Sequence, residues 1–94
     1  MIQSYRDRRT ADFAKGAFVR EFQGFNRQAY RRLEILDAAA SVMELRALRS
    51  NRFEALKGDR AGQFSIRIGG QWRLCFVWRR DDAGPSQVEI VDYH

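Results

Sequence analysis

Gln63-Phe64-Ser65-Ile66-Arg67-Ile68-Gly69-Gly70-Gln71-Trp72-Arg73-Leu74-Cys75-Phe76-Val77-Trp78 is the stretch whose reading decides the fold. Phe64, Ile66 and Ile68 alternate with Ser65 and Arg67. Beyond the glycines, Trp72, Leu74, Phe76 and Trp78 alternate with Arg73, Cys75 and Val77. A period of two marks strands with one buried face, and two such runs around Gly-Gly make a β-hairpin. Parity chooses the turn. A two-residue Gly-Gly loop opposes Ile66 to Arg73 and mixes the faces. A three-residue loop of Gly69, Gly70 and Gln71 instead pairs Ile68 with Trp72, Ile66 with Leu74 and Phe64 with Phe76, which leaves one face wholly apolar.

The same register sets Arg67 opposite Arg73 on the other face. Like charges facing each other across two strands cost about 0.2–1 kcal/mol. Two readings follow: arginines splayed into solvent, or a phosphate cradled between them. In both, Arg73 is dispensable for folding, and its removal is expected to leave the melting temperature unchanged or slightly raised.

Upstream, Asn51-Arg52-Phe53-Glu54-Ala55-Leu56-Lys57-Gly58-Asp59-Arg60 leads into the hairpin and ends in turn chemistry at Gly58 and Gly62. Residues 1–6 suit a short strand, and Ala11-Asp12-Phe13-Ala14 suits a helical turn. Phe22, Phe25 or Asn26, Ala29, Leu33 and Leu36 recur at helical spacing and predict a helix over about 25–40. Ser41 with Glu44 three residues on is a capping-box pattern that opens a second helix to Leu48. Downstream, Asp81 to Ser86 is a loop, and Gln87 to His94 is a last strand. Val88 and Ile90 turn to the core there, while Glu89, Val91 and Tyr93 join the face of Arg67 and Arg73. The expectation is an α+β fold, residues 1–94 forming one domain with N-terminal helices on one face of an antiparallel sheet.

The 94 residues carry a net charge of +5. Residues 51–80 hold seven cations against two carboxylates, and only Lys15 and Lys57 among the cations are not arginine. Arginine's planar fork grips phosphate at two points and stacks on bases, so RNA is the leading partner and an acidic protein the alternative. Lys57 stands out as the one central cation whose proton affinity an environment can lower, although a lysine before Gly58 also suits a plain exposed turn. No apolar run is long enough to span a membrane. The N-terminus has no signal-peptide pattern, and the single Cys75 reads as a strand filler, so a cytoplasmic location is expected.

The sequence contains no glycine-rich phosphate loop, no HExxH and no Cys/His cluster, so the expected chemistry uses no metal and no cofactor. What remains is proton transfer and positioning by Lys57, Arg73, Asp92, Tyr93 and His94, supported by Arg52, Arg60 and Arg67. Such a set suits RNA cleavage by the RNA's own 2′-hydroxyl. A base takes the hydroxyl proton, cations stabilise the phosphorane, and an acid protonates the leaving 5′-oxygen. On composition alone His94, the only histidine, reads first as a frayed and idle chain end, and only the expected place of its strand beside Arg73 counters this.

Asn51 to Arg60, Gln63 to Ile68, Gln71 to Phe76 and Val88 to His94 resemble signature segments of the HigB-type toxins of the RelE/ParE superfamily, and Leu33 to Ala39 resembles the matching helix end. The resemblance implies a RelE-like fold, ribosome-dependent cleavage of mRNA, and neutralisation by a HigA-type helix-turn-helix antitoxin. It implies that Lys57 and Arg73 contact the scissile phosphate, and that Asp92, Tyr93 and His94 complete the site. Some relatives have histidine where this chain has Glu54, which leaves the base open: the carboxylate either replaces the histidine or positions Lys57. A ParE-like toxin that poisons gyrase by binding is the alternative. A third reading is an inactive fold member that binds only RNA or its antitoxin.

Overall fold

The structure is a computed structural model that describes residues 1–93; His94, one of the expected site residues, lies outside the described residues. Three α-helices precede a four-stranded antiparallel sheet of order β1-β2-β3-β4, with β1 at Glu54–Ala55, β2 at Phe64–Gly69, β3 at Trp72–Val77 and β4 at Ser86–Asp92. This is the expected α+β architecture.

Helix α1, Arg8–Ala14, is fuller than the single turn expected, because Asp7 caps it by accepting from the Thr10 amide. Helix α2, Asn26–Ala38, buries Ala29, Leu33 and Leu36 as their spacing predicts. Helix α3, Val42–Ala47, starts at Ser41, whose hydroxyl accepts from the Glu44 amide at 3.4 Å. A 3-10 turn at Arg49–Asn51 carries the chain into β1.

The apolar face of the sheet meets these helices. Ile66, Leu74, Phe76, Val88 and Ile90 are fully buried against Phe13, Phe22 and Leu36, and Trp72 lies between Phe22 and Phe25 at ring distances of 5.8 and 4.6 Å. The hairpin pairs Phe64 with Phe76, Ile66 with Leu74 and Arg67 with Arg73, as parity requires. Its tip differs: Gly69, not Ile68, opposes Trp72, and a bulge separates Arg67 from Gly69. The turn itself is Gly70 and Gln71, with Gly70 at φ +55, a conformation glycine adopts without strain.

The N-terminus does not form a regular strand. It runs parallel to β4 and meets it in a single bridge, Tyr5 to Val88, flanked by hydrogen bonds from the Arg6 amide to the Val88 carbonyl and from the Val88 amide to the Ser4 carbonyl. Farther in, the Thr10 hydroxyl accepts from the amide of Ile90 at 3.1 Å, so the start of the chain holds its last strand twice over. No helix among the described residues is long and apolar enough to cross a membrane.

Candidate RNA-cleavage face

Directly opposed residues of neighbouring strands turn to the same side, so the pairing defines the face away from the helices. One row across it is Glu54, Ser65, Cys75 and Glu89; the next is Arg67, Arg73 and Val91. Tyr93 follows one step beyond, its amide donating to the Gln71 carbonyl at 2.7 Å, and its side chain is 38% exposed.

Of the two readings of this face, the solvated one does not hold for Arg73. Arg73 is only 9% exposed. Its Nε donates to the Ser65 hydroxyl at 2.7 Å, and its Nη2 donates to the backbone carbonyls of Arg52 and, at 3.4 Å, Ser65. Glu54 Oε1 stands 3.5 Å from the same Nη2. The guanidinium therefore leans across β2 toward Ser65, two residues before Arg67. This direction relieves the like-charge opposition that parity exposes. These contacts tie Arg73 into the fold and argue against the expectation that its loss leaves stability unchanged. Its Nη1 is bonded to no described residue, which leaves two N–H donors for a ligand.

Arg60 does the same for the other half of the sheet, donating through Nη1 to Gln63 at 3.0 Å and to Glu89 at 3.3 Å, while Arg6 approaches Glu89 at 3.7 Å. Arginine stems and their carboxylates roof over the small side chains of Ser65 and Cys75, which are fully buried although they face away from the helices. Burial pushes the Cys75 thiol up to about 11, against the pull of Arg60, Arg73 and Arg6. The thiol stays protonated at neutral pH, in keeping with a filler.

The structure joins the expected residues unequally. Glu54, Arg73 and the Arg52 backbone form one contact set, Arg60 forms a second with Glu89, and Tyr93 sits at the end of the same face. Arg67 lies on the face, and no ion pair joins it to a carboxylate among the described residues. Asp92 opposes Trp72, so its position is on the helix side of the strand, although it ends β4 beside Tyr93. Lys57 is exposed in the turn just past β1, bonded through its carbonyl to the Arg60 amide. Three groups escaped the sequence reading: Ser65, Glu89 and Asn51. The first two alternate with apolar residues and looked like ordinary solvent-facing positions. Asn51 carries no pattern at all. Among the described residues, no cluster of His, Cys, Asp and Glu is grouped to hold a metal ion.

A small antiparallel sheet with helices packed on one face and clamped arginines on the other defines an α+β protein with a cation-rich sheet face. The chain belongs to the family of RelE-like toxins of the type II toxin–antitoxin system HigB, whose profile matches residues 12–94. Over 49 residues, 52% of this chain and 52% of its relative, it is 51% identical to Toxin HigB-1 of Vibrio cholerae serotype O1 (strain ATCC 39315 / El Tor Inaba N16961). Over 63 residues, 67% of this chain and 65% of its relative, it is 36% identical to the Endoribonuclease HigB of Proteus vulgaris. The matches thus span about half to two thirds of the length of these curated relatives. The fold is that of a chain in the YoeB-YefM complex from Staphylococcus aureus, with a TM-score of 0.63 and 21% identity over 100% of this chain and 98% of that one.

Proposed function

We propose that this protein is the toxin of a type II toxin–antitoxin pair and a ribosome-dependent mRNA endonuclease. The observation that carries the reading is the clamped guanidinium of Arg73, with its spare Nη1 donors, at the centre of an open cation-rich sheet face.

The reaction uses the RNA's own nucleophile. A base removes the 2′-hydroxyl proton, the oxygen attacks the adjacent phosphorus, and the 5′-oxygen leaves with a proton, giving a 2′,3′-cyclic phosphate and a 5′-hydroxyl. Arg73 stabilises the charge that builds on the non-bridging oxygens, and because its guanidinium is already fixed, little reorganisation opposes the reaction. In this reading Glu54, 3.5 Å from Arg73 and half exposed, either accepts the 2′-proton or positions Lys57 to do so. Asp92, Tyr93 and His94 supply proton transfer and a ring for base stacking, and Lys57, Arg52, Arg60 and Arg67 hold neighbouring phosphates. No step asks for a metal or cofactor.

The face is open, and the cavities lined by Ile2, Tyr5 and Tyr30, by Arg27, Arg31 and Ile68, and by Met43, Trp78 and Arg79 all lie elsewhere. An open face orients RNA poorly by itself, so the ribosome is the scaffold that presents the strand. A HigA-type helix-turn-helix antitoxin is the partner that silences the protein in the cytoplasm. The test is purified protein added to translating ribosomes, with the 5′ ends of the mRNA fragments mapped. Cuts within codons that vanish when ribosomes are omitted support the reading. Equal cutting of naked RNA removes the ribosome from it, and inhibition of gyrase supercoiling without RNA cleavage replaces it with the ParE-like alternative.

A further inference from the structure

We propose that Arg52 serves the reaction through its backbone carbonyl, the left-handed turn at this residue acting as the device that positions Arg73. The inference rests on the nuclease reading above, and it goes against the expectation that Arg52 works only by offering its guanidinium to phosphate.

Arg52 has φ 45° and ψ 54°, one of two side-chain-bearing residues in the described chain with positive φ. The left-handed region is costly for any residue with a Cβ. Such residues persist where the surroundings over-determine them, and they gather at functional sites. Here the surroundings do so from both directions. Asn51, immediately before, is completely buried. Its Nδ2 donates to the Leu45 carbonyl at 3.0 Å, and its Oδ1 accepts from Arg32 Nη1 at 2.7 Å, tying the turn to α3 and to α2. The backbone closes the turn with bonds from the Asn51 amide to Leu48 and from the Arg52 amide to Arg49, at 3.0 and 3.1 Å. Immediately after, Phe53 packs on Phe64 at 5.2 Å and fixes the exit direction.

Between these anchors the peptide that follows Arg52 is oriented so that the Arg52 carbonyl accepts from Arg73 Nη2. An extended conformation at residue 52 turns that carbonyl away. The side chain of Arg52, by contrast, is exposed and joins no ion pair among the described residues. Asn51 is therefore a positioning residue at one remove, with Arg32 beneath it. Through them the first helical layer reaches the reacting face.

Two substitutions isolate the backbone. Arg52→Gly and Arg52→Val both delete the guanidinium, so any direct phosphate contact is lost equally. They differ in the turn, since glycine takes positive φ freely while a β-branched residue there is a true outlier. Cleavage of mRNA on ribosomes is to be measured for both below their melting transitions, together with the side-chain Nε–H signal of Arg73 by nuclear magnetic resonance. We expect kcat for Arg52→Gly to exceed that for Arg52→Val by about tenfold to a hundredfold with similar KM, the penalty of a misplaced catalytic group. We expect the Arg73 signal to be protected in the glycine variant and exchange-broadened in the valine variant. Equal kcat in the two variants overturns the inference, even if valine lowers the melting temperature, because the turn is then only structural. If the wild-type protein cuts no mRNA, the nuclease reading itself fails. The Arg73 signal then judges the turn alone: identical protection in both variants overturns the positioning claim, and loss with valine sustains it.

Discussion

Arg73 is held by three hydrogen bonds and an ion pair, so its removal has two separable effects. Hydrogen bonds to charged groups contribute about 1.5–3 kcal/mol each, and losing this cluster strands the Ser65 hydroxyl and the Arg52 carbonyl. We expect Arg73→Ala to lower stability by about 2 kcal/mol, or roughly 10 °C in a thermal melt of a domain this size. Its kcat on ribosomes should fall about 10²-fold or more when measured well below that transition. Arg73→Lys should not rescue activity, because an ammonium cannot serve Ser65, Arg52 and a phosphate from one planar fork. A full recovery by lysine shows that only the charge matters.

Cys75 carries a second residue-level expectation. Its thiol ionises more easily in the unfolded chain, near 9.0, than in the fold, at about 11. Below pH 9 both states are protonated and the contribution is fully present. Between about pH 9 and 11 the unfolded state sheds the proton first, so stability falls as pH rises, by at most about 2–3 kcal/mol. Urea unfolding of wild type and Cys75→Ala across that window should show the wild type losing more. Parallel curves refute the buried-thiol account.

At the scale of elements, the hairpin shows both the reach of the sequence and its limit. Parity placed Phe64, Ile66 and Arg67 opposite their true partners without error. It misplaced the tip because a three-residue loop and a two-residue loop with a bulge each add one residue, and both keep the apolar residues on one face. Alternation cannot distinguish them. The burial of Arg73 was illegible for another reason. It depends on Arg52 and Glu54 crossing above the sheet, and β1 is only two residues long, too short to leave a periodic signal. The helix stripe and the Ser41 cap were legible because each is a local pattern. The bond from the Ile90 amide to Thr10 is neither local nor periodic, yet it satisfies a buried donor on β4. Thr10→Val keeps the shape and orphans that donor, so it should cost about 1–3 kcal/mol in urea unfolding. A change under 0.5 kcal/mol shows that β4 finds another acceptor.

Across the whole molecule, charge sits on both layers but in different states. On the sheet face Arg6, Arg60 and Arg73 are paired with Glu89 and Glu54, whereas no ion pair among the described residues joins Arg27, Arg31 or Arg32 of α2 to a carboxylate. The paired arginines are pre-set and partly neutralised, and the unpaired ones dominate the long-range field. A protein partner of opposite charge is therefore steered to the molecule chiefly by exposed cations. For the antitoxin proposed above, the association rate should fall steeply with ionic strength while the dissociation rate changes little. Stopped-flow or surface binding at several salt concentrations measures this, and a salt-independent association rate counts against it.

The attachment of the N-terminal segment to β4 also bears on how the protein is born. Tyr5 meets Val88 and Thr10 meets Ile90, so these closures await the strand that is synthesised last of the four. β4 also supplies Val88 and Ile90 to the core and holds Tyr93 at its end. While that strand remains in the exit tunnel, β3 has an open edge, the core is incomplete, and the proposed cleavage face lacks one wall. Closing contacts so distant in sequence is slow, so the fold is completed only once β4 has emerged. A nascent chain that lacks β4 thus has neither a complete core nor Tyr93 on its sheet face, and the activity proposed for that face begins only when β4 has docked.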